Sequence, residues 1–415
     1  MNMRAVTTSI ARVGAFAIVL ALAACGGGGS GGSSPNGSSA SSAPAGPAVS
    51  LPASPPARNA VALVADQGID GTAVNTPFVD VVVCMPGSST CRTIDHVMVD
   101  TGSYGLRLAA SALDAQMTLP TVTAPNGAPL AECAGFVSGF AWGSVRKADV
   151  QIGGESAVGV AVQVVDDRNP EFSTIPSPCT ATGPNMSVGN GAKGILGVGF
   201  QRQDCGAACT NSTAPNVYYA CSGNGSCASS LAPLSSQVTN PVALFATDNN
   251  GVAISMPQVP PGGASKATGL LVFGIGTAAN NQLGSAQQYT PNAKGNLSIA
   301  YKGSTVDGFI DSGSNGIFVH DASIPSCAGG GFYCPPTPLA LSATVTGANG
   351  ATKEIPFQVE NVAMLPRSTA AAHLAGDLGL SSSFDWGLPF FFGRTVFVAI
   401  QGASTPWGVG PYWAF

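Results

Sequence analysis

Charged side chains are scarce in this chain: 9% of its 415 residues are Asp, Glu, Lys or Arg, with a formal net charge of −5. The densest basic run is Arg146-Lys147. That excludes a surface that tracks phosphates, because nucleic-acid binding needs a clustered basic face. Histidine is nearly absent, and His96, His320 and His373 stand at no ligand-like spacing from any cysteine, so no metal is expected. The glycine runs at 26–29 and 329–331 lack the lysine and the strand–turn–helix setting of a nucleotide loop. No cofactor is therefore expected. There is no short-period repeat of the kind that builds solenoids.

What the chain has is 54 glycines, 31 prolines and 11 cysteines in a background that is 45% hydrophobic. Short runs such as AVALVAD, PFVDVVVC and HVMVD, separated by Gly, Pro and Asn, predict an all-β protein. Its length allows two lobes, expected at 60–240 and 241–415. Residues 1–25 begin with Arg4 and Arg12 and carry an apolar stretch, Val13 to Ala24, that falls short of the about 20 residues of a membrane-spanning helix. The stretch ends in Leu22-Ala23-Ala24-Cys25, which resembles a bacterial lipoprotein signal with Cys25 as the lipidated residue. Gly26 after it resembles the outer-membrane type. The expected location is the outer membrane, on its periplasmic or surface side, with membrane contact only through that lipid. Residues 26–59 hold almost no large apolar side chains and read as a flexible tether.

Setting Cys25 aside leaves an even number of cysteines, as expected of a disulfide framework in an exported protein. Cys84 and Cys91, Cys205 and Cys209, Cys221 and Cys227, and Cys327 and Cys334 are close enough in sequence to staple local loops. Cys133 and Cys179 remain as a longer pair, with the connectivity open.

Two segments organise the rest: VMVDTGSYGLRL at 97–108 and GFIDSGSNGIFV at 308–319. Each passes from a hydrophobic strand through Asp-(Thr/Ser)-Gly-Ser into another strand. The motif supplies a carboxylate at a sheet end, a neighbouring hydroxyl, and a glycine where the chain turns tightly. Asp100 and Asp311, if brought together, cannot both stay ionised, so the pair would share a proton. One carboxyl could then activate a water while the other polarises a carbonyl. Thr101 and Ser312 can cross-brace the loops, and Ser103 and Ser314 can orient the outer carboxylate oxygens. Gly102 and Gly313 supply the turns.

These motifs resemble those of the bilobal pepsin-like aspartic peptidases, which carry one such loop per lobe. Asp100 and Asp311 match that family's catalytic aspartates. Ile195-Leu196-Gly197 matches its first hydrophobic–hydrophobic–Gly crossing, and Asp385-Trp386-Gly387 lies where the second would be. GLLVFGIG at 269–276 matches the strand that opens the second lobe. The chain also resembles an uncharacterised family of bacterial lipoproteins. The peptidase resemblance implies an endopeptidase that holds a peptide or protein substrate in an interlobe cleft, as a monomer and without a cofactor. It also implies a flap hairpin over the cleft, whose tip is expected near Gly139–Gly143. The flap tyrosine position then falls on Phe140 or Trp142.

Two other classes of function fit the same residues. One is a silent binding or scaffold lipoprotein on the same fold; the other is a carboxylate-pair glycan hydrolase, which needs carboxyls roughly 5–9 Å apart. Tyr104 and Asn315 are expected to line the cleft. Asp307 and Asp385 read as surface or turn residues.

Overall fold

The structure is a computed structural model that describes residues 57–114, 116–365, 369–379 and 381–415. Cys25, the leader 1–25 and residues 26–56 of the tether lie outside the described residues. Packing reaches slightly before the expected Ala60: the Asn59 amide donates to the Phe273 carbonyl at 3.0 Å and is buried there.

Among the described residues the strands form a 15-stranded sheet, a 7-stranded sheet and a small hairpin, with only short helical turns. Glycine and proline at short intervals stop most strands within a few residues, and apolar runs between them have nowhere to bury except against other strands.

One three-strand crossing occurs in each half. In the first, Cys91–Asp100 lies parallel to Gly194–Val198, with Val99 opposite Leu196 and Asp100 opposite Gly197. Tyr104–Ala109 then returns antiparallel along the same strand. In the second, Ser304–Ile310 lies parallel to Ser383–Trp386, with Ile310 opposite Trp386, and Ile317–Val319 returns antiparallel. Gly197 and Gly387 close the two crossings. A β-carbon on Gly197 would lie 2.5 Å from the Tyr104 nitrogen, and one on Gly387 2.1 Å from the Gly316 oxygen. Only glycine fits either position.

The large sheet is shared between the halves. Ala60–Ala65 pairs with Ala267–Phe273, which continues through Gly251–Ser255 to Thr395–Ala399. The 7-stranded sheet belongs to the second half and packs on Trp386, Phe384, Phe357 and Phe390, whose rings meet at 4.4 to 5.9 Å. Such ring pairs contribute about 0.5–1.5 kcal/mol each beyond their buried area.

Several expectations need correction. The hairpin formed by Leu130–Phe136 and Gly139–Ile152 turns at Val137-Ser138, not at 139–143. Gly139 is already in the second strand, at φ 150°, where a β-carbon would lie 2.2 Å from the Pro184 oxygen. The sequence over 229–238 reads as a short helix, but the structure there has a single helical turn, Leu234–Ser236. Residues 371–379 read as a short helix or a loop but hold a two-residue strand, Ala375–Gly376, and the strand that the sequence suggests over 355–364 ends at Val359.

Candidate active site

The two motif loops meet. Thr101 N–H donates to Ser312 Oγ at 3.1 Å, and Ser312 N–H donates to Thr101 Oγ1 at 2.9 Å. Each hydroxyl then donates into the opposite strand, Thr101 to the Ile310 carbonyl at 2.9 Å and Ser312 to the Val99 carbonyl at 2.7 Å. Both hydroxyls are buried, so four satisfied hydrogen bonds cross between the loops where water cannot substitute.

Each aspartate is held in the same way. Gly102 N–H donates to Asp100 Oδ1 and Gly313 N–H to Asp311 Oδ1, both at 2.8 Å. The outer oxygens accept from Ser103 and, at 2.9 Å, from Ser314. The motif glycines sit against the opposite carboxyl: a β-carbon on Gly102 would lie 2.7 Å from Asp311 Cγ, and one on Gly313 2.8 Å from Asp100 Cγ. Any side chain there would push the pair apart.

The loop braces thus set each carboxyl against the motif glycine of the opposite loop, close to the other carboxyl. Burial, then the neighbouring charge of Asp100, then that of Asp385, push the Asp311 carboxyl well above its ordinary value. The pair therefore holds a proton at pH values where isolated aspartates are ionised.

Phe140 and Trp142 are not at a hairpin tip. They are 2% and 3% exposed and pack with Phe172 and Tyr219 around the Cys133–Cys179 disulfide. Trp142 donates its indole N–H to the Phe172 carbonyl at 2.8 Å. The aromatic next to the turn is Phe136, half-buried, with the Arg107 guanidinium 5.8 Å from its ring centre. Sequence reasoning missed it because FVSGF contains no Asn-Gly or Asp-Gly turn signal. Arg107 in turn is buried in an ion cluster with Glu132 at 2.7 Å and Asp204 at 3.1 Å, where Tyr218 donates to Asp204. This cluster ties the strand after the first aspartate loop to the first strand of the hairpin.

Asp385 is a second correction. It is not a surface residue but 4% exposed, and its charge acts on Asp311. Asp307 is half-buried and pairs with Ser298 and Ser383. Tyr104 is half-buried, its hydroxyl pushed up by burial and by Asp100. Asn315 lines a pocket of about 410 Å³ that also takes Thr72, Val74 and Asn190 from the first half and Phe332 and Leu374 from the second. Asn75, missed in the sequence, bridges the halves by donating to the Asn315 and Ala371 carbonyls at 2.7 and 2.8 Å.

The remaining expected pairs are present as disulfides: Cys84–Cys91, Cys205–Cys209, Cys221–Cys227 and Cys327–Cys334.

A family model described as "Protein of unknown function (DUF3443)" matches residues 55–415. No curated protein matches the chain by sequence. Among solved structures, the crystal structure of an aspartic proteinase from Irpex lacteus superposes with a TM-score of 0.52 at 16% identity, covering 86% of this chain and 96% of that one. At that identity the likeness is one of fold, an all-β, two-lobed architecture resembling the pepsin-like fold.

Proposed function

The chain belongs to the DUF3443 family, and we propose that it is an aspartic endopeptidase in which Asp100 and Asp311 activate a water between them. The observation that carries the reading is the symmetric set of hydrogen bonds between the loops, which sets each carboxyl against the opposite motif glycine. Asp311 holds the shared proton and polarises the scissile carbonyl, while Asp100 takes a proton from the attacking water. The proton on the pair then passes to the leaving amine. The packing of each carboxyl on the opposite loop's glycine also weighs against a glycan hydrolase, whose carboxyls stand roughly 5–9 Å apart.

The silent-scaffold reading draws on Phe136, a residue without a hydroxyl where a flap would offer one. A single experiment decides between the two. Cleavage of an unfolded protein substrate is assayed from acid to neutral pH, with Asp100→Asn and Asp311→Asn as controls. Loss of at least about 1,000-fold in either variant is expected for a residue that acts in the chemistry. Equal activity in parent and variants would end the peptidase reading.

The proposed setting, an outer membrane reached through lipidated Cys25, is tested separately. Fatty-acid labelling of the intact chain should disappear in Cys25→Ser.

A further inference from the structure

The two crossings differ at one position beside the aspartates. In the first half, Ile195 stands opposite Met98; in the second, Asp385 stands opposite Phe309. Side chains alternate along a strand, so Asp385 shares the face that carries Phe309 and leads to Asp311. It is 4% exposed, and its Oδ1 has no hydrogen-bond partner. The charge acting on it is that of another carboxylate, Asp100. His320 and Asp377, paired at 2.8 Å, face it across a small pocket with Phe318 and Ser383.

Ser314 lies between the two acids. Its hydroxyl donates to Asp311 Oδ2 at 2.9 Å, and it is near enough to the Asp385 carboxyl to influence its protonation. A hydroxyl has one hydrogen. Were both acids ionised, they would compete for it, and the loser would keep a buried carboxylate oxygen without this donor. The conflict disappears when Asp385 keeps its own proton and hydrogen-bonds Ser314 Oγ. The Ser314 hydrogen is then free for Asp311. The first loop has no counterpart: Ser103 donates to Asp100, and Ile195, at the matching register position, has no ionisable group.

We propose that Asp385 is a positioning residue for the aspartate pair: as a neutral acid it donates to Ser314, which commits the Ser314 hydrogen to Asp311 and makes the two aspartates unequal. Ionisation releases the Asp385 proton to solvent. The new carboxylate then takes the Ser314 hydrogen for itself and adds a negative charge beside Asp100 and Asp311. Activity would thus be tuned from behind one loop only, a refinement that rests on the peptidase reading for its kinetic consequences but not for the proton itself.

The test uses the full chain, its Asp385→Asn and Asp385→Ile variants, and two readouts. The first is the infrared carbonyl band of protonated carboxylic acids near pH 6, where ordinary carboxyls are ionised. Asp385→Asn should remove one protonated carboxyl from the parent spectrum. No loss would mean that Asp385 is ionised in the parent, and the proposal falls.

The second readout is the pH profile of kcat and KM. Asp385→Ile should lower kcat about threefold to tenfold, the size of one hydrogen bond, with KM little changed. Asp385→Asn, which can still donate to Ser314, should recover part of that loss. Its profile should lack the titration step that Asp385 gives the parent, because no carboxylate can form at 385 to take the Ser314 hydrogen. Unchanged profiles in both folded variants would overturn the proposal. If no form cleaves substrate, the peptidase reading fails separately, and the infrared count decides whether Asp385 carries the proton.

Discussion

Thr101 and Ser312 each serve as donor and acceptor at once. Thr101→Val should cost about 1–3 kcal/mol of stability, since it leaves the Ser312 N–H and Ile310 carbonyl unpaired in a buried site. Adding Ser312→Ala should cost less than the sum of the single changes, because the bonds are shared; denaturant unfolding of the three variants measures this. Protonation has a matching thermodynamic signature. Asp311 and Asp385 are both pushed up, chiefly by burial, so the native chain binds more protons than the unfolded one above the ordinary value of 3.8. Their contribution is full below that value and is lost as pH rises through the native ones. Asp95 works the other way, lowered to about 2 chiefly by its hydrogen bond with Lys193, so its contribution fades as pH falls below 3.8. Thermal midpoints should therefore be highest near about pH 4, and Asp385→Asn should flatten the decline on the neutral side. Calorimetry across pH checks both arms. The aspartates themselves are legible in sequence because a four-residue motif recurs in the same strand-to-strand setting. Asp385 is not, because an ionisable residue in a short strand looks exposed until its neighbours across the crossing are known.

At the scale of elements, the hairpin of Leu130–Phe136 and Gly139–Ile152 is pinned rather than free. Its first strand is bonded to the Ser177–Thr180 turn by Cys133–Cys179 and paired with Tyr218–Cys221. Its second strand exchanges backbone bonds with Pro184 and Met186. The Cys133–Cys179 link closes 46 residues of chain, so replacing both cysteines by alanine should cost about 4 kcal/mol on the chain-entropy model. The Cys205–Cys209 link, with a separation of 4, should cost about 2 kcal/mol on the same model. Unfolding of the two double variants ranks them. Arg107→Met should cost about 3–5 kcal/mol, because it strands Glu132 and Asp204 without their cation. The hairpin was readable from glycine spacing, yet its tip was misplaced by several residues. Gly139 looks like a turn glycine, but its conformation answers to Pro184, which lies 45 positions further along and cannot be inferred locally.

Across the whole molecule, the all-β, two-lobed character follows from composition and strand patterning, and the repeated crossing follows from the paired motifs. What sequence does not reveal is how the halves are joined. The 15-stranded sheet passes from one to the other through Ala60–Ala65 and Ala267–Phe273, a pairing of segments about 200 residues apart with no local signal. Asn75 adds a side-chain bridge to Asn315 and Ala371. With backbone pairing and the loop braces both crossing between halves, denaturation should be one transition. Single-tryptophan variants that retain Trp142 or Trp386 should report the same midpoint; midpoints that differ would show halves unfolding separately.

The braces also impose an order in time. A chain made from its N-terminus completes the Asp100 loop while Ile310 and Ser312, the partners of Thr101, are still about 200 residues from being added. At synthesis rates of about 5–20 residues per second, that interval is about 10–40 s. Throughout it the first carboxylate has no counterpart, and the second loop has nothing to close against until the strand ending at Trp386 is laid beside it. Whatever chemistry the pair performs is therefore withheld from the unfinished chain by topology alone.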